Sequence, residues 1–151
     1  YFGLINCGGE PFVIEYNCRL GDPETEAVLP RIKSDLLPDL IGAAKGELNM
    51  QKQLEFIDES ATTVILVSGG YPESYEKGKG IKGIPTNTES LIYHAGTKKE
   101  NEVLKTNGGR VLAITSFDTN AKEALEKSYK IAEGIRFDGK YYRKDIGFDI
   151  L

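Results

Sequence analysis

Residues 13–26 read VIEYNCRLGDPETE, which sets a carboxylate, an amide and a guanidinium at alternate positions, Glu15, Asn17 and Arg19. Side chains of an extended strand alternate between faces, so Val13, Glu15, Asn17 and Arg19 share one face and Phe12, Ile14, Tyr16 and Cys18 the other. Such a polar row is what a half-buried antiparallel strand shows to water. It is also a set of groups able to meet a charged ligand, and the row runs straight into a loop that opens a helix. There Asp22 suits the N-cap, Pro23 the first helical position, and Glu24 the first turn, where the helix dipole favours negative charge. A second polar group, Arg143-Lys144, precedes a turn at Asp145-Ile146-Gly147. A basic pair of this kind on a surface strand is ordinarily just solvated.

The elements that must position these residues follow from pattern. Residues 1–7 and 12–18 are expected to pair as strands around GGEP, with Cys7 facing about residue 12. Pro23 to about Ile32 should be helical, with Ala27, Val28 and Ile32 turned inward, and a second helix should run from Ser34 as N-cap to about Lys45, stopped by Gly46. NMQKQLEFIDES suggests more helix and then an extended piece at Leu54–Ile57. From Ala61 the pattern becomes β-rich: TTVILVS and LIYHA are short apolar runs ended by glycines. Asn107-Gly108 stands between two strand-like arms and predicts a hairpin. Asp118 or Thr119 is expected to cap a helix with Ala121, Ala124, Leu125, Ser128, Ile131 and Ala132 on one face, stopped by Gly134. A final hairpin is expected to turn at Asp138-Gly139. The change of pattern places a soft domain boundary near residues 58–61.

Composition narrows the function classes. With 151 residues, 40% of them hydrophobic, the chain can bury a real core. The net charge is −4 and the 19 basic residues are dispersed, which argues against a phosphate-neutralising nucleic-acid face. No run approaches the ~18 apolar residues of a membrane span, and no basic-then-apolar leader precedes the first strand. Two cysteines far out of register and a single histidine argue against a disulfide and a zinc site, and with no leader they fit a reducing cytoplasm. His94 reads as a hydrogen-bonded packing residue rather than a base. The chain opens on strand-like YFGLINC without a starting Met, as expected of a piece of a longer protein.

The motifs VIEYNCRLGDPETE, GGYPESYEKG, YHAGT, TNGGRVLAIT and YYRKDIG stand in the order of similar motifs in the C-terminal part of the phosphoribosylamine–glycine ligase family of ATP-grasp enzymes, which the chain resembles from residue 1 to about 147. The resemblance implies an α+β fold: residues 1–59 as the C-terminal piece of an ATP-grasp domain with the metal-binding strand, and residues 60–151 as a small β-rich, barrel-sandwich-like domain with one main helix. It implies ATP-dependent joining of glycine to 5-phosphoribosylamine through a glycyl phosphate, giving glycinamide ribonucleotide, ADP and phosphate in purine biosynthesis.

In that pattern Glu15 and Asn17 are ligands of Mg²⁺ or Mn²⁺, consistent with the preference of such ions for hard oxygen. Arg19 would stabilise a transferring phosphoryl group, or else pair with an acidic neighbour such as Glu24. Asp22 would contact a substrate amine, serve only as a helix cap, or do both. Arg143 and Lys144 would hold the 5-phosphate of phosphoribosylamine. The family usually has two arginines there, and Lys144 offers a point charge in place of a bidentate fork.

The expected partners are ATP, glycine, 5-phosphoribosylamine and an N-terminal part of the same polypeptide that supplies the ATP lid and phosphate-binding lysines, without which the chain should be inactive. Neither nucleic acid nor membrane is expected. The alternatives are another ATP-grasp ligase or carboxylase of the same pathway, against which GDPETE speaks, and a non-catalytic β-rich interaction module. A module carrying a modifiable Met-Lys pair is not indicated, because Met50 is followed by Gln51.

Overall fold

The computed structural model describes residues 2–21, 23–48 and 53–148. Strands β1 (Phe2–Cys7) and β2 (Glu10–Tyr16) form an antiparallel hairpin closed by Gly8-Gly9, both at positive φ, as a two-residue turn between right-twisted strands requires. The tight turn puts Cys7 opposite Glu10, not residue 12, and both thiols are free and exposed. Ile14 is left without a partner by a bulge, since Gly3 pairs with Glu15 and Leu4 with Val13. Every residue of β2 is exposed on both faces.

Helix α1 (Thr25–Val28) tightens into a 3₁₀ turn at Leu29–Arg31, and α2 (Leu37–Lys45) ends at Gly46 with φ 72°. The helix expected over residues 23–32 is thus two short pieces, because Pro30 offers no amide to continue the ladder. Ser34 is not the cap of α2. Its hydroxyl accepts from the Glu55 amide at 2.6 Å, while Asp35 Oδ1 accepts from the Leu37 amide at 3.0 Å. Phe56 bridges to Ile32, which gives the extended piece expected near residues 54–57. The residue before α1 is Glu24; the capping role expected of Asp22 and the helix expected over residues 49–52 fall outside the described residues.

The second half is built on a three-stranded antiparallel sheet in the order β3 (Ser60–Val67), β7 (Arg110–Asp118), β4 (Leu91–His94). Val64 pairs with Ile114 and Leu66 with Leu112, and this face is covered by α3 (Ala121–Gly134) through Leu125, Ser128 and Ala132. The central strand β7 is buried from Val111 to Ser116, as expected for a strand covered on both sides. The opposite face carries Thr63, Ile65, Ala113 and Thr115. There the Thr115 hydroxyl donates to the Glu26 carbonyl at 3.0 Å, so the Thr63 hydroxyl, 2.8 Å away, donates to Thr115. The α1 segment is thereby tied to the sheet.

Three local expectations are corrected. Asn107-Gly108 makes no hairpin: β6 (Val103–Thr106) pairs with β5 (Thr97–Glu100), and β7 pairs with β3 and β4. The β5–β6 turn falls at Asn101-Glu102, both at positive φ. Asp138-Gly139 does turn the chain, with the Lys140 amide donating to the Phe137 carbonyl at 3.1 Å, but its arms pair elsewhere, Arg136 with Lys82 and Tyr141 with Val67. The cap of α3 is Asn120, whose Oδ1 accepts from the Glu123 amide at 2.9 Å; Asp118 instead meets Lys127.

Candidate active site

Strand β2 ends at Tyr16, so among the three residues of the expected polar row only Glu15 lies on the strand. Asn17 follows the strand directly, and Arg19 lies in the bend at Cys18-Arg19. Glu15 lies across Gly3, where an added Cβ would stand 2.8 Å from the Glu15 Cγ. A glycine is therefore needed there to seat the carboxylate. The Glu15 carboxylate and the Asn17 amide are hard oxygen donors of the kind Mg²⁺ or Mn²⁺ accepts. Among the described residues no group of three or more His, Cys, Asp or Glu side chains converges.

After the bend the chain crosses the sheet face opposite α3. Arg19 donates to the Leu20 carbonyl at 3.0 Å, and the buried Gly21 amide donates to Glu24 Oε2 at 3.0 Å. Arg19, Gly21 and Glu26 form one wall of a 780 Å³ cavity whose other walls are Ile65, Tyr71 and Arg110. The Glu26 Oε2 atom is itself buried, without a hydrogen-bond partner among the described residues. Burial, and then the charge of Glu26, push the Tyr93 phenol above its ordinary pKa.

Ile65, Tyr71 and Arg110 also wall a neighbouring 420 Å³ cavity, bordered by Pro23, Tyr142 and Arg143. The stretch following Arg19 thus reaches both cavities, with Gly21 in the first and Pro23 in the second. The position between them, Asp22, lies outside the described residues. Arg143 therefore comes to the cavity that Pro23 borders, although its guanidinium is held by Asp145 in a bidentate pair, Nε to Oδ1 at 2.9 Å and Nη2 to Oδ2 at 2.8 Å. Lys144 diverges from it and borders separate depressions with Tyr142. His94 is exposed, with Nδ1 3.1 Å from Thr97 Oγ1.

Sequence reasoning missed Arg110 and Tyr71, treating NGGR and GGYP as turns. The structure shows why those glycines are there. An added Cβ at Gly96 would lie 2.6 Å from Gly108 Cα, and one at Gly109 would enter the Tyr71 ring. Ser68 fastens the same point, its amide donating to the Gly109 carbonyl and its hydroxyl to the Gly108 carbonyl, both at 2.8 Å. YHAGT, GGYP and NGGR are therefore one packed unit that presents Arg110. The charged residue closing the glycine pair was the signal available in the sequence.

Residues 61–149 match the model of a family described as phosphoribosylglycinamide synthetase, C domain. The chain belongs to this family. Relatives named phosphoribosylamine–glycine ligase include one from Chlorobaculum tepidum, 45% identical over 100% of this chain and 36% of that protein, and one from Fusobacterium nucleatum, 44% identical over 97% and 35%. A crystal structure of phosphoribosylamine–glycine ligase from Thermotoga maritima superposes with a TM-score of 0.83 at 38% identity, covering 95% of this chain and 35% of that one. The chain spans about a third of the length of the curated relatives it matches. Like the solved relative, this phosphoribosylglycinamide synthetase C-domain chain mixes helices with antiparallel sheets.

Proposed function

We infer that this chain is the C-terminal third of a phosphoribosylamine–glycine ligase, which joins glycine to 5-phosphoribosylamine at the expense of ATP through a glycyl phosphate. One observation carries the reading: Arg19 and Gly21 from one end of the chain, and Arg143 from the other, border adjoining cavities that share the wall of Ile65, Tyr71 and Arg110. Such a pair of compartments suits two reactants that must meet. In this reading residues 1–59 end an ATP-grasp domain and residues 60–151 form the barrel-sandwich-like domain after it; the start of the family match at residue 61 supports the division.

Glu15 and Asn17 would hold Mg²⁺ or Mn²⁺, which when bound neutralises charge on the ATP phosphates. Arg19 sets a guanidinium beside the first cavity, where it stabilises negative charge on a transferring phosphoryl group. Asp22 orients the substrate amine, and Arg143 and Lys144 attract the 5-phosphate. The sheet and the α1 segment exclude water from one side of the acyl phosphate, which would otherwise hydrolyse. The remaining polypeptide supplies the rest of the nucleotide site, and the enzyme works in the cytoplasm, consistent with two unbridged thiols.

The test is to express the full-length polypeptide and measure ADP formation that requires both glycine and phosphoribosylamine. Turnover dependent on both is expected. ADP release indifferent to either would sink the assignment.

A further inference from the structure

A helix leaves its last carbonyls without partners inside it, and buried ones must find donors elsewhere. At the end of α3 a left-handed glycine does not supply the cap: Ile135 follows Gly134 in extended conformation, at φ −77° and ψ 136°. Ala132 and Ile135 are both fully buried. The donor for their carbonyls comes from beyond the Asp138-Gly139 turn. The Lys140 ammonium donates to the Ile135 carbonyl at 2.5 Å and the Ala132 carbonyl at 2.7 Å, with the Glu133 carbonyl at 3.4 Å. An ammonium has three donors to share among them, and its charge suits the negative end of the helix dipole. The same group lies 5.3 Å from the centre of the Tyr142 ring, a cation–π contact that carries the anchor on to the next residues of the tail.

We propose that Lys140 is a positioning residue, which ties the tail to α3 and so sets the wall that Tyr142, Arg143 and Ile146 give to the smaller cavity. The other ties of the tail act in the same sense. Tyr142 packs against Tyr129 of α3 with ring centres 6.1 Å apart, and the Tyr129 hydroxyl accepts from the Ile146 amide at 3.2 Å. Tyr141 and Val67 exchange backbone hydrogen bonds at 2.9 and 3.1 Å. Tyr142, Arg143 and Ile146 therefore meet the cavity from a segment held between α3 and β3. Of these anchors Lys140 is the charged one and binds several carbonyls at once, so its loss both releases the start of the tail and leaves buried oxygens unpaired. In the ligase reading, on which the kinetic expectations rest, this wall receives phosphoribosylamine. Lys140 then acts through Tyr142 and Arg143 rather than by contact with a reactant.

The experiment uses the full-length polypeptide and two readouts, amide hydrogen exchange and turnover. Lys140→Met keeps the stem and removes the ammonium. It should speed exchange over residues 141–146 by about tenfold or more and leave the amides of β3 and β7 within about twofold. In turnover it should raise KM for phosphoribosylamine by about three- to thirtyfold, with KM for ATP within about twofold. Lys140→Arg keeps the charge and several donors and should restore both readouts to within about threefold of the parent. Tyr129→Phe keeps the ring and removes only the acceptor of the Ile146 amide, so it should shift the same KM in the same direction with the fold intact, even where Lys140→Met fails to fold. Unchanged exchange over residues 141–146, acceleration spread equally through the sheet, or equal rises in KM for ATP and phosphoribosylamine would each overturn the proposal and leave Lys140 a cap of α3 alone. If the parent polypeptide makes no ADP that depends on glycine and phosphoribosylamine, the ligase reading falls, and faster exchange confined to the tail of Lys140→Met still supports the anchor.

Discussion

Because Glu15 is exposed and seated over Gly3, exchanging its carboxylate for an amide changes charge without emptying a core site. Glu15→Gln in the full-length polypeptide is expected to lower kcat at least tenfold at saturating Mg²⁺, with an unchanged thermal midpoint; comparable kcat would refute the proposed metal-binding role of Glu15. A second residue carries a pH signature. The Lys127 ammonium, 2.7 Å from Asp118 Oδ2, and the Thr119 amide hold the Asp118 carboxyl down to about 2, below its ordinary 3.8. A depressed carboxyl stabilises the fold above its unfolded pKa and loses that contribution as pH falls through the folded one. Urea titrations between pH 4 and pH 2 should therefore show stability falling more steeply in the parent chain than in Asp118→Asn. Parallel curves would deny the pair any role in joining α3 to β7.

Among the elements, those with strong period were legible: β3, β7, and the α3 face of Ala124, Leu125, Ser128 and Ala132 are buried where the pattern put them. The turns were not. Asn107-Gly108 carries the strongest hairpin dipeptide, yet neither residue adopts positive φ, and Gly108 is small because Gly96 approaches it. A dipeptide cannot reveal whether its glycine serves a turn or a close contact, since the contact comes from a motif elsewhere in the chain. Gly96→Ala tests this. Its Cβ would meet the Arg110 carbonyl at 2.5 Å and Gly108 Cα at 2.6 Å, and all of these are backbone atoms. A loss of about 1–3 kcal/mol or more in denaturant unfolding is expected, with a comparable loss for Gly108→Ala and less than additive loss for the double variant, because both relieve or create the same contact. Full additivity would mean the two glycines act separately. Glu15, Asn17, Arg19 and Arg143 were named as candidates through their motifs, whereas Arg110, which walls both cavities, lies in a segment that reads as a turn.

On the scale of the whole chain, the buried core runs from Val64 to Phe137, and the β1–β2 hairpin contributes nothing to it. Phe12, Ile14 and Tyr16 on one strand and Phe2, Leu4 and Ile5 on the other are exposed, with Ile14 66% and Tyr16 74% accessible. An apolar two-stranded ribbon with open edges is a template for pairing with further chains. Residues 1–151 expressed alone are therefore expected to enhance the fluorescence of a hydrophobic dye and to scatter light increasingly with concentration. Phe12→Ser with Ile14→Ser should suppress both, and a segment beginning at residue 58 should show neither; scattering from that shorter segment equal to that of the whole chain would place the sticky surface elsewhere. On this expectation the hairpin sets the solubility of the isolated chain, while the core of the sheet and α3 sets its folding. A chain cut at this hairpin would then owe its shelf life to surface side chains that its core stability does not reach.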